Sequence, residues 1–266
     1  MGINVGINGA GGRMGRRLMD LTCADSELEL VAAIEGAGSP IIGKAISDLE
    51  PAAKVSTAVM TELKGNIDVV IDFSVPEATL AILEQVARKE AALVIGTTGF
   101  TEEQAARIKK AAMLIPIVWA PNMSLGVNLL FKLAGEVAQI LGNGYDIEIV
   151  EAHHNKKADA PSGTALGLAK SICEATGRNM EKDLVHGRSG RPGARTHKEI
   201  GMHAVRMGSV VGDHRAYFCS EFERIELVHH AQNRDVFAAG ALRAAKWVVG
   251  KKPGIYDMQD VLFGEK

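Results

Sequence analysis

Through the first 120 residues, short apolar runs alternate with amphipathic stretches. Ile3–Asn8, Leu28–Ile34 and residues 67–73, 91–96 and 115–120 are nearly continuous in apolar side chains, the pattern of strands buried on both faces of a parallel sheet. Between them, residues 13–23, 77–89 and 102–112 carry helical periodicity, with Pro76 and Thr101 as helix starts. Such alternation predicts βαβ units. After Asn122 the pattern changes. Residues 124–141 predict one long apolar helix, and YDIEIVEAHH, residues 145–154, sets Tyr145, Ile147 and Ile149 on one face of a strand. A helix over 163–176 and strands near 202–211, 217–222 and 225–230 follow. Strands that succeed one another without helices between them predict a mixed or antiparallel sheet, hence a second domain of α+β type.

Composition narrows the partners more than the fold. With 266 residues and 47% hydrophobic content, the chain can bury a sizeable core in one large or two ordinary domains. Its 30 Lys+Arg against 32 Asp+Glu give a formal charge of -2, so no general attraction to nucleic acid or an anionic membrane is expected, and any anionic ligand must be met locally. Cys23, Cys173 and Cys219 are far apart and form no CxxC pair, which fits a reducing compartment. The first residues carry no basic n-region, and no apolar stretch is expected to reach the ~18 residues of a membrane span. A cytoplasmic protein is expected.

Two motifs carry chemistry. The first predicted strand runs into GAGGRMG, so Gly9, Gly12 and Gly15 stand at GxxGxxG spacing and Gly11 completes GxG. Glycines there allow a tight turn and let backbone approach a pyrophosphate at the N-terminus of the next helix. Twenty residues after Gly15, Glu35 ends the second strand, where a carboxylate can accept hydrogen bonds from an adenosine ribose. This favours NAD, and Gly36 supplies no cation for the extra phosphate of NADP; Arg13, Arg16 and Arg17 are the alternatives for that task. GTTGF (96–100) and APNMSLGVN (120–128) also follow predicted strands at their carboxyl ends, where an open α/β sheet binds ligands.

The second motif is EAHHNKKADAPSGTA, residues 151–165. Pro161 precedes a helix start, so the backbone N–H groups of Ser162, Gly163 and Thr164 are expected to point outward unpaired and to bind a carboxylate. Lys157 and the histidines add cations nearby. Metal is not expected: side chains of adjacent strand residues His153 and His154 diverge, and HH lacks the i, i+4 spacing of a helical zinc pair. His229 and His230 read as structural or rim residues, and the basic loop 186–198 as solvated, an interface or a lid.

VGINGAGGRMGR, DFS (72–74), GTTGF, PNMSLGVN, EAHHNKKADAPSGTA and IYDMQDVL together closely resemble the bacterial dihydrodipicolinate reductases, or 4-hydroxy-tetrahydrodipicolinate reductases, of diaminopimelate and lysine synthesis. The resemblance spans nearly the whole chain in order. It implies a Rossmann-like dinucleotide-binding domain of residues 1–123 and 234–266, a substrate-binding and tetramerisation domain of residues 124–233, and a homotetramer. It implies nucleotide binding by Gly9, Ala10, Gly11, Gly12, Arg13, Met14, Glu35, Gly96, Thr97, Thr98, Ala120, Pro121, Asn122 and Met123. His153 would be the general acid with Lys157 assisting, and His154, Gly163 and Thr164 would join Ser162 in holding the substrate. NADH or NADPH would supply a hydride to a small cyclic imine dicarboxylate, without a metal. Gly36 stands where many members have Arg, and Met123 where many have an aromatic. An NAD-binding regulatory module, which gives no reason for the cationic second motif, and an amino-acid dehydrogenase such as aspartate dehydrogenase, which predicts activity with an amino acid and NAD, are the competing classes.

Overall fold

In the structure, a computed structural model that describes residues 2–53 and 57–264, the elements run in the order β1 (Ile3–Asn8), α1 (Arg13–Ala24), β2 (Leu28–Ile34), α2 (Ile46–Leu49), β3 (Val69–Asp72), α3 (Pro76–Arg88), β4 (Ala92–Ile95), α4 (Glu102–Ala111) and β5 (Pro116–Trp119). There follow α5 (Leu125–Leu141), β6 (Asp146–His153), α6 (Gly163–Thr176), β7 (Leu184–His186), β8 (Ile200–Arg206), β9 (Asp213–Cys219) and β10 (Arg224–His230). The last elements are α7 (Asp235–Val248), β11 (Gly254–Tyr256) and α8 (Met258–Phe263). The chain divides into two compact units, one of residues up to Leu125 with those from Asp235 onward, the other Gly126–Arg234.

The first unit is built on a six-stranded parallel sheet of order β11-β5-β4-β3-β1-β2. Alternate side chains of its strands enter different cores. Val69 and Ile71 pack with Leu18, Ala241, Ala245 and Val261 of α1, α7 and α8, whereas Val70 packs with Leu80, Leu83 and Ile108 of α3 and α4. Burial on both faces is why these strands lack polar alternation. Local chemistry fixes the helix starts: Pro76 opens α3, and Thr101 and Gln104 exchange hydrogen bonds in a capping box at α4. Strand order reverses between β1 and β3, the position at which open α/β sheets bind ligands beyond their carboxyl ends.

The second unit is a five-stranded mixed sheet of order β10-β9-β6-β8-β7. β6 pairs parallel with β8 and antiparallel with β9. Helices α5 and α6 supply Leu130, Ala134, Leu168 and Ile172 to the core on one face.

Two expectations change, and further elements are new. The strands placed at 202–211 and 217–222 are Ile200–Arg206 and Asp213–Cys219, because the chain turns at Gly208, with φ 47°, and Ser209, and Val210 and Val211 lie in the connection that follows. The strand β7 and the elements α7, β11 and α8 carried no assignment from periodicity. An apolar stretch of span length also exists: Leu125–Gly144, at mean hydropathy 1.3, is long and apolar enough to cross a bilayer by length and composition. Its Leu130, Ala134 and Ala138 are buried in the core of the second unit, which gives that apolar character a packing role.

Candidate functional site

The glycine motif forms a turn at the carboxyl end of β1. Gly9 has φ 79°, and its N–H and that of Ala10 both donate to the Ile34 carbonyl at 3.0 and 3.1 Å. A Cβ on Gly9 would lie 2.8 Å from the Phe73 carbonyl oxygen, so only glycine fits. Gly12 precedes α1 with no side-chain cap, and the first turn contains no acidic residue. These are the features of a phosphate-binding helix terminus, and Arg13 stands exposed beside it. Glu35 lies next to this turn, accepting from the N–H of Gly11 at 2.6 Å and of Gly36 at 3.0 Å. Of the three arginines weighed for an additional phosphate, Arg17 is held by Asp20 and Asp235, while Arg13 and Arg16 are exposed.

Gly96, Thr97 and Thr98 follow β4; Gly96 is in contact with the Phe73 ring, Thr97 is buried, and Thr98 is exposed. Ala120, Pro121 and Asn122 follow β5, where the Asn122 side chain accepts from the Ser124 N–H at 2.9 Å. Met123 is 1% exposed and packs in the sheet core, with its carbonyl against Gly240. Its side chain therefore serves the core.

The second motif acquires its meaning from strand register. On the helix-covered face of the second sheet, Ile147, Ile200, Phe218 and Ile225 form one apolar row, and Ile149, Met202, Ala216 and Leu227 the next. Two residues further along β6, the row becomes Glu151, Ala204, His214 and His229; beyond it His153 pairs with Arg206. The chemical groups thus continue the core face of the sheet and inherit its burial: Glu151 is fully buried and His153 is 8% exposed.

Glu151 gathers this cluster. One carboxylate oxygen lies 2.6 Å from His153 Nδ1 and 2.8 Å from an Arg206 nitrogen; the other accepts from Arg206 at 2.9 Å and from the Ser162 N–H at 3.0 Å. Burial pushes the Glu151 carboxyl up, but the hydrogen bonds from Arg206, His153 and Ser162 outweigh it and hold the group below the usual carboxylate range. An ionised carboxylate only accepts, so the His153 proton facing it sits on Nδ1, and Nε2 lies on the opposite side of the ring. A Cβ on Gly212 would lie 3.1 Å from that Nε2. His214, 3.1 Å from the Ser162 hydroxyl through Nε2, meets the His153 ring edge-on at 5.1 Å. Burial, then the neighbouring His153, drives its pKa down to about 3, so it stays neutral.

Ser162 is the N-cap of α6, and its hydroxyl accepts from the Ala165 N–H. One expectation is corrected here: the Ser162 N–H donates to Glu151 and is not presented to a ligand. Gly163, exposed and open around its Cα, and Thr164, half-buried, occupy the first turn. Lys157 pairs with Asp159 at 2.8 Å, and His154 lies beyond the end of β6 with its carbonyl accepting from the Lys157 N–H. Arg188 and Arg195 of the basic loop are engaged by Glu148 and Glu199, with Asp146 also holding Arg195. Among the described residues no group of three or more His, Cys, Asp or Glu is arranged to hold a metal ion.

Sequence reasoning did not single out Glu151, Arg206 or His214. The signal for Glu151 was present: it stands two residues after Ile149 on the strand face that periodicity had marked as apolar.

Comparison with known proteins places this geometry. The family described as dihydrodipicolinate reductase, N-terminus, matches residues 3–123, and its C-terminus counterpart matches residues 126–262. A 4-hydroxy-tetrahydrodipicolinate reductase of Magnetococcus marinus is 51% identical over 265 residues, covering 98% of this chain and 99% of the relative. One from Syntrophotalea carbinolica is 49% identical over 263 residues, 98% of each. Among solved structures, a dipicolinate-bound dihydrodipicolinate reductase from Paenisporosarcina sp. superposes with a TM-score of 0.76 at 26% identity, covering 98% of this chain and 99% of that one. An amine dehydrogenase from Mycobacterium smegmatis, at 11% identity and a TM-score of 0.59, shares the fold alone. The parallel sheet with its glycine turn and the mixed sheet with its polar rows fall within matched regions that together span nearly the whole sequence, and the chain belongs to the dihydrodipicolinate reductase family.

Proposed function

We propose that this protein reduces 4-hydroxy-tetrahydrodipicolinate, or its dehydrated form dihydrodipicolinate, to tetrahydrodipicolinate in the cytoplasm, as a step of diaminopimelate and lysine synthesis. The observation that carries this reading is the Glu151–His153 pair beside the α6 terminus. It sets an oriented proton donor next to an anion-binding helix start. A solved relative that binds dipicolinate, a planar dicarboxylate, supports a ligand of this class.

The residues present fit a nicotinamide cofactor, which the fold and the family imply. Gly9, Ala10, Gly11, Gly12, Arg13 and Met14 would take the pyrophosphate and Glu35 the adenosine ribose; Gly96, Thr97, Thr98, Ala120, Pro121 and Asn122 line the neighbouring strand ends. Glu35 with Gly36 favours NADH at least equally with NADPH. When bound, the reduced nicotinamide supplies the hydride.

In the second unit, Gly163 and Thr164 receive one substrate carboxylate while His154 and Lys157 meet the other. Hydride arrival at C4 of the conjugated ring leaves carbanion or enamine character that needs a proton. His153 Nε2 gives it, and the ionised Glu151 beside Nδ1 stabilises the protonated ring beforehand. Lys157 stabilises the anionic intermediate. The assembly is a homotetramer formed through this unit, with Val205, Met207 and Val228 exposed at its sheet.

The test is loss of reduced-nicotinamide absorbance with substrate made in situ from pyruvate and aspartate semialdehyde, run with NADH and NADPH. Turnover with NADH is expected. Absence of turnover with either cofactor, or oxidation of aspartate with NAD in its place, overturns the reading. Sedimentation of a monomer at micromolar concentration overturns the tetramer.

A further inference from the structure

Asp72 ends β3 with none of its surface exposed, and no cation contacts it among the described residues. Four neutral donors meet it instead. Asn8 Nδ2 donates at 2.6 Å and the Ser74 hydroxyl at 2.5 Å to one carboxylate oxygen; the Thr79 hydroxyl at 2.5 Å and the Thr97 hydroxyl at 2.8 Å donate to the other. A buried carboxylate without a counter-charge is expensive, and burial pushes its pKa up, so four converging hydrogen bonds mark a site that the fold has been built to satisfy.

Its position gives the reason. Asn8 and Asp72 are register partners across β1 and β3, where the strand order reverses. Three of the donors come from different carboxyl-end segments: Asn8 from the end of β1, Ser74 from the turn after β3, Thr97 from the turn after β4. Those segments also lock to one another. The Ser74 N–H donates to the Thr97 hydroxyl at 2.9 Å, the Gly96 N–H donates to the Asp72 carbonyl at 2.9 Å, and Gly9 sits against Phe73 and Ser74. Thr79, the fourth donor, belongs to α3 and has a second acceptor in the Val75 carbonyl at 3.2 Å.

We propose that Asp72 is a positioning residue for the cofactor: its carboxylate holds the turns after β1, β3 and β4 in the one arrangement that binds the dinucleotide. This rests on the nicotinamide reading above. Hydroxyl donors can turn, but the Asn8 amide hydrogens cannot become acceptors. An amide at position 72 keeps its oxygen toward Asn8 and turns its NH2 toward Thr79 and Thr97. Thr97 already accepts from the Ser74 N–H and would now also face the amide NH2, so its own hydroxyl proton loses its acceptor and the turn after β4 loosens.

The experiment measures the NADH dissociation constant by fluorescence, steady-state constants and melting temperature for Asp72→Asn, Thr97→Val, Thr97→Ser and Thr79→Val. Asp72→Asn and Thr97→Val are expected to raise Kd and KM for NADH about tenfold, the loss of one charge-assisted hydrogen bond. The KM for the imine substrate should stay constant. Thr97→Ser, which keeps the hydroxyl, should restore wild-type binding. Thr79→Val should lower the melting temperature without changing Kd. An unchanged NADH Kd in Asp72→Asn, or a rise in Thr79→Val equal to that in Thr97→Val, overturns the proposal. If Asp72→Asn does not fold, Ser74→Ala decides, since it removes a hydroxyl donor to Asp72 from a residue not assigned to the cofactor: an unchanged NADH Kd in a folded Ser74→Ala overturns the proposal. Failure of the wild-type protein to bind either cofactor would instead defeat the functional reading on which this rests.

Discussion

The dependence of His153 on Glu151 can be tested by Glu151→Gln, which preserves shape and removes charge. Three contacts to charged or chargeable partners converge on this carboxylate, at 2.8 and 2.9 Å from Arg206 and 2.6 Å from His153. An amide can keep its oxygen toward Ser162 and one Arg206 nitrogen, but its NH2 then faces the other Arg206 nitrogen and His153 Nδ1. His153 must give up the Nδ1 proton to accept there. The ring becomes a neutral Nε2–H imidazole, a poor acid at neutral pH. General acid catalysis is worth about 10²–10⁴-fold, so kcat should fall by at least ~10-fold toward that range. Breaking a buried ion pair costs on the order of 3 kcal/mol, which lowers Tm by roughly 6–12 °C. Absorbance kinetics below the lowered Tm, with NADH dissociation measured alongside, separate these effects. NADH binding, which belongs to the first unit, should not change. A folded variant whose kcat stays within about twofold of wild type would show that His153 needs no orienting carboxylate, or is not the acid.

Three further outcomes are expected. Gly36→Arg should shift the ratio of kcat/KM toward NADPH by about tenfold to a hundredfold, the worth of a guanidinium–phosphate contact; an unchanged ratio in competition kinetics would show that Arg13 or Arg16 already serves the extra phosphate. Thr164→Val should raise the substrate KM by roughly 1–3 kcal/mol while kcat is nearly kept, and a fall in kcat alone would move Thr164 from holding substrate to the chemistry. His214 titrates at about 3 in the fold against ~6.5 in the unfolded chain, so its contribution to stability is present above ~6.5 and declines as pH falls through that window, by up to ~1.36 kcal/mol per unit. Melting curves from neutral pH down to about 5 should show the decline before the carboxylates titrate, and His214→Gln should flatten it.

How much of this was legible follows from what each residue depends on. The first sheet was readable because strands buried on both faces are continuous apolar runs, and its glycine turn because positive φ and close backbone approach exclude side chains. The strands β8 and β9 were misplaced because exposed and covered faces alternate there, and the apolar Val210 and Val211 sit in the connection after the turn at Gly208. The helix α7 was left unassigned although it is amphipathic; its buried face is built largely of Ala and Gly for close packing, as Gly240 against Met123 shows. In the site, His153 and Ser162 were visible as an unusual polar string. Arg206 and His214 were not, because they come from other strands, and only register brings them to Glu151.

Glu151 and Asp72 are both fully buried carboxylates, near or at the end of a strand in separate sheets, yet their surroundings push them in opposite directions. Glu151 is satisfied by a guanidinium and an imidazole, which hold its pKa down; Asp72 is satisfied by an amide and three hydroxyls, which leave burial dominant and its pKa up. The difference fixes what neutralisation leaves behind. Glu151→Gln strands part of the positive charge of Arg206, whose side chain is only 20% exposed, whereas Asp72→Asn strands no charge and meets hydroxyls able to rotate. Glu151→Gln should therefore lose more stability, by about 1–3 kcal/mol, even though Asp72 has the larger number of side-chain donor groups. Thermal melts of the two variants at neutral pH decide it. A larger loss in Asp72→Asn would mean that the charge-assisted hydrogen bonds of the Asp72 carboxylate hold the fold more strongly than the ion pair of Glu151 with Arg206.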